Sequence, residues 1–91
     1  MKIERGEIMN GEHQFHKMDA IEQQKTVYDV SLGIQAVMGY VGPIQFSSAL
    51  KRYGFDDDCT TCSYKLGMAE GALIERGNVE RDECFGYLSV R

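Results

Sequence analysis

The sequence predicts a mainly α domain, a compact bundle of three to four helices with an N-terminal arm or short β-hairpin. Three observations lead there. An apolar stripe at steps of three and four runs from Val27 to Val41, a second runs from Cys59 to Leu73, and glycine or proline stands at the points between them. At 91 residues the chain is expected to form one domain, because it lies near the lower end of the sizes at which a single core buries enough apolar surface to fold alone. Residues 1–17 read as the arm or hairpin and 18–91 as the helical core.

In the arm, Asn10-Gly11 sits between Ile8-Met9 and Glu12-His13-Gln14-Phe15, and Asn-Gly is a strong signal for a two-residue hairpin turn. The flanking alternation is short and mostly polar, so an extended arm is the alternative. No uninterrupted apolar core of the secretory kind stands near Met1, and the expected location is the cytoplasm.

The first helix is expected to begin at Asp19-Ala20-Ile21-Glu22, where an N-cap aspartate precedes a glutamate three residues on. Val27, Val30, Ile34, Val37, Met38 and Val41 then share one face, while Gln23, Lys25 and Gln35 fall elsewhere. Ser31 and Gly33 weaken the middle and predict a kink there. Pro43 suits the first position of a second helix, whose apolar face is Phe46, Ala49, Leu50 and Tyr53. Gly54 should end it in the left-handed conformation, with Phe55 folding back on Leu50.

Asp56-Asp57-Asp58 reads as the start of a third helix, since aspartates there cap free N–H groups and meet the positive end of the helix dipole. A calcium loop would instead alternate its oxygen donors and close on a glutamate. In the helix from Asp57 to Arg76, Cys59, Cys62, Leu66, Ala69 and Leu73 form one row and Ser63, Gly67, Gly71 and Ile74 a second. The second row is small enough to let another backbone approach, within the domain or across a homodimer. Gly77 closes the helix. The tail, 78–91, is expected to be a further helix; the alternative is a strand over Tyr87–Val90 paired with the N-terminal arm, giving a small α+β fold. The core is expected to hold Val27, Val30, Ile34, Val37, Leu50, Phe55, Leu66, Ala69 and Leu73.

Composition limits the function classes. Apolar residues are 43% and charged residues 26% of the chain, as in soluble globular proteins, and no apolar run approaches a membrane span, so no membrane partner is expected. The net charge of −4 divides evenly, with four basic and six acidic groups in residues 1–45 and six and eight in 46–91. The only adjacent basic pair is Lys51-Arg52, which disfavours nucleic acid, whose binding rests on clustered cations. A helix-turn-helix reading of residues 62–77 would make 69–77 the recognition helix, but that segment offers two glutamates and one arginine.

Chemistry centres on Cys59-Thr60-Thr61-Cys62. Cysteine packs as a small hydrophobe, and the pair heads an apolar stripe, so packing accounts for it without a further role. No metal or cofactor is therefore assigned. If zinc were held, the candidate ligands are Cys59, Cys62, Cys84, His13 and His16, because structural zinc sites join one close pair of soft ligands to another. Thiol exchange is opposed by the three neighbouring carboxylates, which disfavour a thiolate. No nucleophile with a recognisable partner histidine and no phosphate-binding loop is present, so no catalytic residue is assigned.

The leading expectation is a small acidic non-enzymatic protein-binding module, an adaptor, accessory subunit or inhibitor of a protein partner, of a size and charge that would suit a phage or other mobile element. Tyr28, Tyr40, Tyr53, Tyr64 and Tyr87 are candidate anchors, since tyrosine is enriched in binding hot spots. A helix-turn-helix regulator and a zinc-stabilised Cys/His module are the alternatives.

Overall fold

A computed structural model describes residues 14–38, 41–82 and 87–91. Three helices make up most of it: α1 (Ala20–Met38), α2 (Pro43–Leu50) and α3 (Thr60–Glu75). A 3-10 turn at Phe15–Lys17 precedes α1, another at Lys51–Tyr53 extends α2, and two short strands, β1 (Val79–Arg81) and β2 (Leu88–Val90), follow α3. The expected fold class is therefore the observed one. The Asn10-Gly11 turn lies outside the described residues.

Local chemistry sets the helix ends. Asp19 caps α1, its carboxylate accepting the Glu22 N–H at 2.8 Å. Ser31 and Gly33 do not divide α1, since the buried Ser31 hydroxyl donates to the Val27 carbonyl at 2.8 Å within one helix. Pro43 opens α2 after Gly42. Gly54 and Gly77 take φ of 85° and 80° and form matching terminations. Phe55 N–H reaches Leu50 O and Gly54 N–H reaches Lys51 O, while Asn78 N–H reaches Leu73 O and Gly77 N–H reaches Ile74 O. Each set is the paired bonding of a Schellman motif, which needs the left-handed conformation at its glycine.

The aspartates do not cap α3 as expected. Cys59 is the N-cap, and the aspartates form the turn before it: Asp56 accepts the Asp58 N–H at 2.9 Å, and Asp57 accepts from Ser47 at 2.6 Å and pairs with Lys51 at 3.4 Å. The Ser47 hydroxyl, with Lys51 beside it, holds the Asp57 carboxyl below its usual range.

The tail is a correction. Residues 79–81 and 88–90 are strands, not helix, and they pair antiparallel with each other, Val79 opposite Val90 and Arg81 opposite Leu88; the alternative pairing partner, residues 1–13 of the arm, lies outside the described residues. The hairpin also docks on the link between α1 and α2: the Val41 carbonyl accepts from Tyr87 N–H at 2.6 Å and Leu88 N–H at 3.2 Å. Val41, read as the end of the α1 stripe, is instead this bridging residue. Gln35 completes the docking, its side-chain carbonyl accepting Val90 N–H at 2.7 Å and its amide donating to Val90 O at 3.4 Å.

The core joins all these parts. Val27, Val30, Leu50, Phe55, Ala69 and Leu73 are buried as expected, and Ile34 and Leu66 pack against them. Val37 departs from expectation at 84% exposed, whereas Phe15 is 0% exposed. The described end of the arm is thus part of the core: Phe15 N–H donates to Gly54 O at 3.3 Å, its carbonyl accepts from the buried Gln23 amide at 3.1 Å, and its ring meets Phe55 edge-on at 5.7 Å. In the small row of α3, Ile74 packs against the core, whereas a Cβ added at Gly67 or Gly71 would find nothing within 4 Å among the described residues.

Two stability predictions follow the packing. Phe15→Ala is expected to cost about 3–5 kcal/mol, the usual loss for a buried ring. Gly77→Ala is expected to cost about 1–2 kcal/mol from backbone strain alone, because among the described residues no atom beyond the chain neighbours lies within 4 Å of the new Cβ. Urea denaturation of each variant measures both; a loss below 1 kcal/mol for Phe15→Ala would mean that the turn is not core.

Candidate functional site

Two constellations stand out chemically, and a third feature is a surface groove. The first comes from the start of α3. Cys59 lies at the N-cap, and its sulfur accepts the Cys62 N–H at 3.1 Å, so the first thiol is held over the first helical turn. Cys62, three residues on, points into the core and is 0% exposed. Phe15, anchored as described, places the half-buried His16 alongside. The ligand atoms of His16, Cys59 and Cys62 all lie within 4.8 Å of one another. Burial pushes the Cys62 thiol above its usual pKa, an effect to which Cys59 adds, while backbone hydrogen bonds from Asp56 and His16 act in the opposite direction. Of the five candidate ligands named from the sequence, the fold brings these three together; His13 and Cys84 lie outside the described residues. One sulfur is packed as expected, but the other caps a helix.

The second constellation is centred on Glu70, which lies in the middle of α3 and is only 3% exposed. Its carboxylate accepts from the Tyr87 hydroxyl and from Arg81, whose guanidinium is 3.3 Å away and stands 5.3 Å above the Tyr87 ring. Burial raises the Glu70 pKa, and the tyrosine and arginine offset part of that rise. Tyr87 is pushed up to about 12 by burial and by the adjoining carboxylate. This cluster ties the hairpin to α3 through a charge whose oxygens are satisfied, as a buried carboxylate requires. The helix-turn-helix reading had put Glu70 on a recognition helix. Instead it is interior, and residues 60–75 form one uninterrupted helix with no turn.

The groove runs between α1 and α2 and encloses about 590 Å³. Val30, Ile34 and Ala49 lie along its base, and Val37 and Ile44, 84% and 80% exposed, line it together with Tyr53. Asp29 and Arg52 supply charge at its margins. The size is within the usual range for a ligand cleft, about 300–1,000 Å³. Ile44 was legible as an outlier, since it falls off the Phe46-Ala49-Leu50 face of α2. Val37 was not, because periodicity places it beside Val30 and Ile34 without telling whether a neighbour covers the last turn. Of the tyrosine anchors, Tyr53 and Tyr64 are exposed, Tyr28 and Tyr87 are half-buried, and Tyr40 lies outside the described residues.

Comparison of the chain with family models, with curated proteins and with solved structures returns no match. Among the described residues, no helix is long and apolar enough to cross a membrane.

The Tyr87 shift sets a pH dependence. A phenol whose folded pKa is raised from 10 to about 12 contributes stability that is fully present below pH 10 and is lost as pH rises through about 12. The stability difference between the native chain and Tyr87→Phe, followed by denaturation from pH 8 upward, is therefore expected to hold to about pH 10 and then shrink. A difference independent of pH would contradict the buried Tyr87–Glu70 pair.

Proposed function

We propose that the chain is a small acidic, non-enzymatic binding module that seats an apolar segment of a partner protein in the α1–α2 groove, acting as an adaptor, accessory subunit or inhibitor. The observation that carries this reading is the pairing of Val37 and Ile44 along one cleft with an apolar base. Scattered exposed aliphatics need no explanation, but two large ones lining one groove form the kind of patch that interfaces cover. Each would lose nearly its full side-chain exposure on binding, and burial at about 25 cal/mol per Å² makes such positions the natural anchors of an interface. Tyr53 adds a ring at the same cleft, and its hydroxyl suits a polar rim.

An amphipathic helix of the partner is the occupant that suits this shape, because a groove between two helices accepts apolar side chains spaced at one helical turn. Asp29 and Arg52 would then meet charges of opposite sign at the partner's polar edge. The groove reading does not use Gly67 and Gly71 of α3, a surface open to a second copy of the chain.

The test is affinity capture from the native host, followed by titration of the purified partner against Val37→Asp and Ile44→Asp. Both side chains are exposed, so each variant is expected to keep native stability to within about 0.5 kcal/mol. Each is expected to weaken binding tenfold or more, which is about 1.4 kcal/mol. Unchanged affinity in both variants would sink the groove as the binding surface. Light scattering on the same samples reads self-association: a native dimer that Val37→Asp dissociates would show that the groove serves a second copy.

A further inference from the structure

We infer that His16, Cys59 and Cys62 form a binding site for Zn²⁺ that clamps the Phe15–Lys17 turn to the start of α3. The ligand atoms converge within 4.8 Å although the turn and the helix start are more than forty residues apart. Zinc bonds of about 2.3 Å to sulfur and 2.0–2.1 Å to imidazole nitrogen place tetrahedral ligands about 3.5–3.8 Å from one another. The ligand atoms therefore stand at most about 1 Å wider than a bound geometry, a gap within the reach of side-chain rotation.

The donor set selects the metal. Two sulfurs and an imidazole suit zinc over magnesium or calcium, which take oxygen ligands. Three protein ligands leave a fourth position for solvent or another donor. The backbone supports the arrangement from both sides. On α3, the Cys62 N–H donates to the Cys59 sulfur at 3.1 Å, which orients that sulfur. On the turn, Phe15 is pinned by the Gly54 carbonyl, the Gln23 amide and the Phe55 ring, so His16 has little freedom to move away. The aspartates at 56–58 place negative charge beside the site, which attracts a cation. This site uses no residue of the α1–α2 groove, so the two proposals stand or fall separately.

Cobalt(II) titration of the full chain, kept reduced and anaerobic, tests the site directly. The expected result is one Co²⁺ per chain, reported by thiolate-to-cobalt charge-transfer absorbance and displaced by Zn²⁺, together with a melting temperature that rises on Zn²⁺ addition. Cys59→Ser removes a soft ligand but keeps an oxygen acceptor at the N-cap, where serine is favoured, so the helix should persist by circular dichroism while Co²⁺ affinity falls at least tenfold and the charge-transfer band, left with Cys62 as its one sulfur, weakens. His16→Ala is expected to weaken Co²⁺ at least tenfold in a chain of unchanged helicity. Absence of the charge-transfer band in the folded, reduced native chain would overturn the site. So would equal Co²⁺ affinity in His16→Ala, or a band of undiminished intensity and affinity in Cys59→Ser.

Discussion

The buried Phe15 ring is the contact on which the arrangement of this chain depends. A domain of 91 residues has few large side chains with which to fill its interior, and leaving one in water forfeits about 1.5–3 kcal/mol. Burying Phe15 draws the residues before α1 across the start of α3. Gly54 makes this possible: its left-handed conformation sends Phe55 back toward Leu50 and leaves the Gly54 carbonyl where the Phe15 N–H can reach it. The ring then meets Phe55, and His16 is set beside the two thiols. One apolar contact thus sets where His16, Cys59 and Cys62 meet.

Polar side chains do the rest of the joining, each at a place where a short element would otherwise be held by little. Gln23 holds the Phe15–Lys17 turn, Gln35 holds the edge of β2, and Glu70 holds Arg81 and Tyr87. Strands of three residues contribute little by themselves, and an isolated two-stranded hairpin is marginal in water. Anchoring the pair at Val41, Gln35 and Glu70 gives the hairpin three independent attachments to the helices. Such groups lower the tolerance for substitution, since removing one partner leaves the other buried without a bond.

Much of this was legible where the signal is local. Asp19 as a cap, Pro43 as a helix start and the two glycine terminations follow from backbone chemistry that spans at most six residues, and the structure has each of them. The tail was not legible in this way. Val79, Leu88 and Val90 are too few and too widely spaced to declare a period, and their pairing depends on Val41 and Glu70, which lie far away in sequence. Phe15 was missed for a similar reason, because its neighbours are polar and its burial is decided by Gly54 and Phe55. The ligand types in the cysteine–histidine cluster could be read from the sequence, whereas the proximity of residue 16 to residues 59 and 62 could not. The cap at Cys59 escaped notice because the preceding aspartates are the commoner cap formers.

The cluster and the groove occupy different parts of the molecule, the first where the Phe15–Lys17 turn meets α3 and the second where α1 meets α2. Only the cluster depends on the anchoring of Phe15. Native-state hydrogen exchange at the Phe15 amide tests that anchoring most directly, because this N–H is bonded to the Gly54 carbonyl. Protection close to that of the core amides of α1 and α3 is the result this account predicts. Exchange at the rate of an exposed loop, while those helices stay protected, would contradict it.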